Sequence, residues 1–267
     1  MALMTTDRMP LIAGNWKLNL DHLQSIAFVQ KLAWSLKVAR LDFTEVEVAV
    51  FPPFTDLRSV QTLVSADKLL LKFGAQDVSA HESGAYTGEV AASFLAALDC
   101  DYVIVGHSER RQYHHELDEL IGRKAATASL NGVVPVICVG ETADDLEQHG
   151  PAAVPVAQLS EILAQMKSGS DIVVAYEPVW AIGSGTAATP EQAQQVASAL
   201  RAVVATAFGD ESAATTRVLY GGSVKSSNIA GFMAQPDVDG ALVGGASLDV
   251  AEFSSIARFQ KHVGTAR

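Results

Sequence analysis

The 267-residue sequence is poor in cysteine, in aromatic residues and in charge: it holds two Cys, 7% Phe, Trp and Tyr, and 18% Asp, Glu, Lys and Arg. Two cysteines, Cys100 and Cys138, cannot build the disulfide framework of a small secreted scaffold, and both lie in or beside apolar runs that read as core. No apolar run approaches the roughly 20 residues that cross a bilayer, and the opening MALMTTDRM holds no apolar stretch of signal-peptide length. A soluble, unexported protein of the reducing cytoplasm is expected. Positive charge is scarce as well, with 19 Lys and Arg against 30 Asp and Glu and a formal charge of −11. Such a surface repels polyanions, so neither nucleic acid nor an acidic membrane is an expected partner. A small anionic substrate stays admissible, because a local cluster of N–H donors with one lysine outweighs carboxylates screened beyond about 10 Å. Low-complexity stretches, solenoid periods and Pro/Gly/Ser linkers are all missing.

Apolar material is plentiful: 49% of the residues are hydrophobic, enough for a sizeable core and too many for a disordered chain. Short apolar runs recur at 11–13, 46–51, 69–75, 102–105, 133–139, 172–176, 218–220 and 241–243. Most are continuous rather than alternating, as in strands covered on both faces beneath crossover helices. Segments of helical character separate them. Over 21–40, Leu23, Ile26, Val29, Ala33 and Leu36 share one face; further helices are expected at 117–131, 190–208 and 250–263. The sharpest start signal is Thr189-Pro190-Glu191-Gln192, where Thr caps, Pro fits the first helical position and Gln completes a capping box. Eight strand–helix units in about 250 residues predict an α/β fold, a single (β/α)8 barrel over residues 10–267, with 1–9 as an N-terminal extension of no assigned role. The competing doubly wound sheet announces itself with a glycine fingerprint after its first strand, and Gly14-Asn15-Trp16-Lys17 is not one.

A barrel carries its chemistry in the loops at the C-terminal ends of its strands. Asn15 and Lys17 follow the first run, GHSERR (106–111) the fourth and EPVWAIGSG (177–185) the sixth, while Gly221-Gly222-Ser223 and Gly244-Gly245-Ala246-Ser247 follow the seventh and eighth. Singly, each residue has a plain structural reading: Lys17 as a solvated charge, His107 as a satisfied histidine, Glu177 as the partner of Arg110 or Arg111. Together they supply a carboxylate base, an electrophile for a carbonyl and a cation for the oxyanion that forms when a proton leaves the neighbouring carbon. Glu177 is then the base. Since a free carboxylate is a feeble base at pH 7, the site is expected to exclude water and raise its basicity. Residues 178–187, with Pro178 at one end, Gly183 and Gly185 towards the other and Val179, Trp180 and Ile182 between, have the composition of a lid, or equally of a partly buried surface loop. Gly221 and Gly244 stand 23 residues apart, and each precedes a candidate helix; the pairing favours a phosphate cradle of backbone N–H groups over two tight turns. The long connection 76–89 carries Tyr86 and is expected to insert into a partner subunit.

At Gly14-Asn15-Trp16-Lys17, His107-Ser108-Glu109-Arg110-Arg111, 176–183 (YEPVWAIG) and Tyr220-Gly221-Gly222-Ser223-Val224, the sequence closely resembles triosephosphate isomerase, and the likeness runs from about residue 10 to 262. Gly74-Ala75-Gln76, 84–89 (GAYTGE) and Val243-Gly244-Gly245-Ala246 extend it. The resemblance implies Glu177 as catalytic base, His107 as a neutral electrophile, Lys17 as the cation beside the substrate oxygens and Glu109 as a supporting carboxylate near both. Asn15 would join Lys17 in holding substrate, and Gly183, Ser223, Gly244 and Gly245 would bind phosphate. It further implies interconversion of D-glyceraldehyde 3-phosphate and dihydroxyacetone phosphate through an enediol or enediolate, in glycolysis and gluconeogenesis, with no metal or organic cofactor. A homodimer would form in which the loop around Thr87 reaches the neighbouring site near Asn15 and His107. The chain departs from the family pattern at Leu18, Asp77, Ser184 and Thr186-Ala187-Ala188, none of them catalytic groups. The alternative, a catalytically inactive phosphosugar-binding barrel or scaffold, would be expected to have lost Lys17, His107 or Glu177, and all three are present.

Overall fold

The computed structural model describes residues 8–181 and 187–262. Eight parallel strands close into a barrel in sequence order: β1 (Leu11–Asn15), β2 (Glu47–Phe51), β3 (Lys72–Ala75), β4 (Tyr102–Val105), β5 (Val134–Val139), β6 (Val173–Tyr176), β7 (Arg217–Tyr220) and β8 (Gly240–Val243). Leu11 lies beside Glu47 on one flank and Gly240 on the other, which seals the ring. Successive strand residues point to opposite faces, so each strand feeds two cores. Leu11, Ala13, Ile104, Cys138, Val173 and Ala175 fill the barrel, while Ile12, Val50, Val103, Ile137 and Val174 belong to the larger core shared with the surrounding helices. That double demand is why the runs are continuous. Gly240, at φ 152, is required at the seam, because a Cβ there would strike the Leu11 carbonyl oxygen.

The helices begin where their caps dictate. Asp21 and Gln24 form a capping box ahead of the helix His22–Val38, and Thr189 and Gln192 form the expected one ahead of Pro190–Phe208, with Pro190 in the first turn. The helix expected at 117–131 is Asp118–Leu130. Two expectations change. The run 69–75 yields a strand only from Lys72, because Lys68 turns left-handed (φ 50) and the Leu69 N–H bonds the Val64 carbonyl, closing the helix Leu57–Ala66 instead of joining the sheet. The last helix stops at Ala257 and is followed by the 3-10 turn Phe259–His262; Val263 lies outside the described residues. The units after β4, β5 and β6 each hold a second, shorter helix: Ser108–His114, Ala143–His149 and Asp210–Thr215.

Ion pairs gather at the N-terminal end of the barrel. Arg217 reaches Glu47 at 3.0 Å and the Tyr102 hydroxyl at 2.7 Å, and that hydroxyl itself donates to Glu47. Arg201 reaches Asp237 and Asp239 at 2.7 Å each. The opposite, C-terminal end is open. Among the described residues no helix is long and apolar enough to cross a membrane.

Candidate active site

Strand alternation aims the first site residue. The inward row Leu11 and Ala13 of β1 continues to Asn15, which is buried at the barrel mouth. Asn15 Oδ1 accepts the Lys17 N–H at 3.0 Å, and Gln76, just beyond β3, donates its Nε2 to the carbonyls of Lys17 (2.9 Å) and Phe51 (2.8 Å). Lys17 is thereby held in the left-handed region at φ 52, a conformation that costs a non-glycine residue on the order of 1 kcal/mol. Its Nζ lies 2.7 Å from Glu109 Oε1, and Glu109 Oε2 lies 3.6 Å from His107 Nδ1. Lys17, Glu109 and His107 thus form one connected row.

The inward row of β6, Val173 and Ala175, continues in the same way to Glu177, which is 2% exposed. Gly221 leaves room for it, since a Cβ there would sit 2.9 Å from Glu177 Cγ. His107 caps the helix Ser108–His114: its Nδ1 accepts the Glu109 N–H at 3.2 Å, which in the neutral ring puts the proton on Nε2. Nε2 then donates to Glu177 Oε1 at 3.0 Å, while the Ser108 N–H donates to Glu177 Oε2 at 2.9 Å. Burial, the largest single influence, drives Glu177 up and His107 down, but the opposite charge and hydrogen bond of the pair, with the Ser108 N–H and Lys17 acting on Glu177 and Glu109 on His107, together outweigh it, so the carboxyl falls below its ordinary value and the ring rises above its own. The expected rise in basicity is thus not the net result in this structure: burial does push Glu177 up, but its partners hold it down. Glu177 is buried, and here it already holds a partner that favours its charged form.

Beneath the pair, Cys138 is fully buried, and burial followed by the nearby Glu177 carboxylate pushes its thiol well above the ordinary value. It is a neutral packing group on the barrel floor, as its apolar run suggested. The site opens into a cavity of about 340 Å³ lined by Asn15, Lys17, His107 and Glu177 together with Gly221–Lys225 and Gly244–Ala246. Ser223, Gly244 and Gly245 are therefore brought to the same space as the reacting groups. Gly183 lies outside the described residues, as do Ile182, Ser184, Gly185 and Thr186, most of the segment read as a lid. Its flanks are described. Val179–Ala181 forms a 3-10 turn, the Val179 N–H bonds the Glu141 carbonyl at 3.0 Å, and Ser223 Oγ donates to the Ala181 carbonyl at 3.3 Å.

Several participants escaped the sequence reading. Glu141 is fully buried after β5 and accepts from Tyr176 Oη at 2.8 Å and Trp180 Nε1 at 2.7 Å, and burial holds its carboxyl above the ordinary range. Lys225 lines the same cavity, and Ser108 and Gln76, which stand in the quoted motifs, hold Glu177 and the Lys17 backbone without having been given those roles. A glutamate following the fifth apolar run was a usable signal for Glu141; the Gly74-Ala75-Gln76 motif marked Gln76 but not its role, which depends on the carbonyls of Lys17 and Phe51. Among the described residues no cluster of His, Cys, Asp and Glu is arranged to hold a metal ion.

Comparison with known proteins places the chain in a family. The family model described as triosephosphate isomerase matches residues 10–260. A protein of Leifsonia xyli subsp. xyli named triosephosphate isomerase is 73% identical over 256 residues, covering 96% of this chain and 99% of its own. Proteins of the same name from Streptomyces avermitilis and Mycobacterium tuberculosis are 55% and 54% identical, covering 96% and 94% of this chain and 99% and 96% of theirs.

Proposed function

The chain belongs to the triosephosphate isomerase family, its function is the interconversion of D-glyceraldehyde 3-phosphate and dihydroxyacetone phosphate, and we propose that Glu177, His107 and Lys17 carry it out. One observation supports this above the others: a buried carboxylate, an imidazole with its proton fixed on Nε2 and a lysine ammonium line one cavity with two glycine turns. Phosphate sits against Ser223, Gly244 and Gly245, whose backbone N–H groups suit a dianion. Asn15 and Lys17 then hold the carbonyl end.

The substrate carbonyl takes the Nε2–H of His107 away from Glu177. Without that partner, Glu177 keeps the Ser108 N–H but loses the contact that most favours its charged form, so burial weighs more and it becomes a stronger base, while the neutral ring keeps its Nδ1 acceptor on the helix. Glu177 removes the proton from the carbon beside the carbonyl. The electron pair moves onto the carbonyl oxygen, whose charge Lys17 and the His107 N–H stabilise. His107 passes a proton between the two oxygens of the enediolate, and Glu177 returns its proton to the adjacent carbon, so the base is regenerated and nothing is consumed. Glu109 keeps Lys17 and His107 in register.

We further assign the chain to glycolysis and gluconeogenesis in the cytoplasm, with residues 10–267 as one catalytic domain, 1–9 as an extension and a homodimer as the working assembly. The loop 79–90 supports the dimer. It is pinned at its base by the Ser79 N–H to the Val90 carbonyl (2.8 Å), Gly84 and Gly88 take positive φ, and Tyr86 stacks on His81 at 3.6 Å while remaining 45% exposed. Leu18, next to Lys17, is 97% exposed, as an apolar residue awaiting cover would be. The test is isomerisation of D-glyceraldehyde 3-phosphate, coupled to NADH oxidation through glycerol 3-phosphate dehydrogenase, with Glu177→Gln alongside. Rapid turnover lost in the variant is expected; a folded wild-type protein without turnover moves the reading to a phosphosugar-binding scaffold.

A further inference from the structure

With a formal charge of −11, the chain meets an approaching phosphate dianion with net repulsion. Two lysines line the catalytic cavity, Lys17 and Lys225. Lys17 lies 2.7 Å from Glu109 Oε1, so at a distance the two charges largely cancel and the pair's field decays as that of a dipole. Lys225 is exposed and, among the described residues, its ammonium enters no ion pair. It is the cavity's uncompensated cation.

Its backbone is nevertheless fixed. The Lys225 N–H donates to Asn228 Oδ1 at 2.8 Å, and Asn228 Nδ2 returns to the Ser223 carbonyl at 3.0 Å. The Lys225 carbonyl accepts from the N–H groups of Asn228 (3.1 Å) and Ile229 (3.0 Å). Glu252, the carboxylate facing this turn, accepts from the Ser226 N–H at 2.7 Å and hydroxyl at 2.9 Å and so is turned toward Ser226. A built turn therefore carries a free positive charge two residues beyond Ser223, in the lining of the same cavity.

We propose that Lys225 recruits the substrate: its charge draws the phosphate dianion to the cavity mouth and raises the rate of productive encounter, without touching the reacting carbons. The inference rests on the triose phosphate reading above. A single exposed charge acts over about one Debye length, about 10 Å at 0.1 M salt, so the effect belongs to association and fades as salt rises.

The experiment measures kcat and KM for isomerisation from about 10 mM to about 300 mM NaCl in the wild type, Lys225→Met and Lys225→Glu. Lys31→Met, an exposed lysine on the helix His22–Val38, is the control. At low salt kcat/KM is expected to fall about two- to fivefold in Lys225→Met and further in Lys225→Glu, with kcat little changed and all curves converging at high salt. Lys31→Met should track the wild type. Lys225 variants that track the wild type at every salt overturn the proposal, as does a loss that persists undiminished at high salt, which would make Lys225 a direct ligand or a structural residue. An inactive wild type removes the isomerase reading itself, whereas an active wild type with salt-indifferent variants removes only recruitment.

Discussion

His107 Nε2 lies 3.0 Å from Glu177 Oε1, so the proposed electrophile and the proposed base are hydrogen-bonded to each other. Both must exchange that bond for contacts with substrate, one at an oxygen and the other at a carbon. The bond also aligns them: the Nδ1 cap on Glu109 N–H and the Ser108 N–H to Glu177 Oε2 fix the two side chains from behind.

His107→Gln removes the group that moves protons between the two oxygens and leaves Glu177 in place. The expected result is a fall in kcat of about 10²- to 10⁴-fold, the usual contribution of a positioned acid–base group, with a much smaller change in KM. Steady-state kinetics in both directions checks it.

The same pair predicts a pH signature in stability. His107 is raised above its ordinary 6.5, so its contribution is complete below that value and disappears as pH climbs through the raised one. Glu177 is lowered from 4.5, so its contribution is present above that value and disappears as pH falls through the lowered one. Both act together between 4.5 and 6.5. The difference in melting temperature between wild type and His107→Gln should be largest in that window and shrink on either side, as read by calorimetry from pH 3.5 to 9.

Glu109 is 43% exposed at its side chain, so its ion pair with Lys17 adds little to stability. Its effect should appear in function: Glu109→Gln is expected to raise KM several-fold with an unchanged melting temperature, whereas Lys17→Met should lower kcat/KM by about 10²-fold or more through loss of oxyanion stabilisation. Equal effects of the two substitutions would contradict the division of roles.

The Tyr86–Thr87 loop is preformed and exposed, which suits insertion into a second copy. Thr87→Asp should shift sedimentation from dimer toward monomer at micromolar concentration and lower kcat in step with the monomer fraction. A wild-type protein that sediments only as monomer would contradict the assembly.

Much of the fold was legible because each strand is buried on two faces and therefore shows as an uninterrupted apolar run, while capping chemistry marked the helix at Pro190. Leu69 misled because its apolarity serves the closure of a helix rather than a strand. The site residues Asn15 and Glu177 were legible because they stand at strand ends, Asn15 as the last residue of β1 and Glu177 as the first beyond β6, where alternation aims both inward. His107 required more: Gly106 at φ 69 breaks the alternation of β4 and turns the chain into a helix. The shift of Glu177 was not legible at all, since its direction depends on a side chain 70 residues away in sequence, and burial alone pointed the other way.

The most direct test of proton transfer through Glu177 is isomerisation in D2O with the product examined by NMR. A carboxylate base exchanges its captured proton with solvent during part of the turnovers, so deuterium is expected on the carbon that receives the proton, and Glu177→Gln should abolish both turnover and labelling. Turnover that continues in Glu177→Gln would mean a route that does not pass through this carboxylate and would contradict the mechanism.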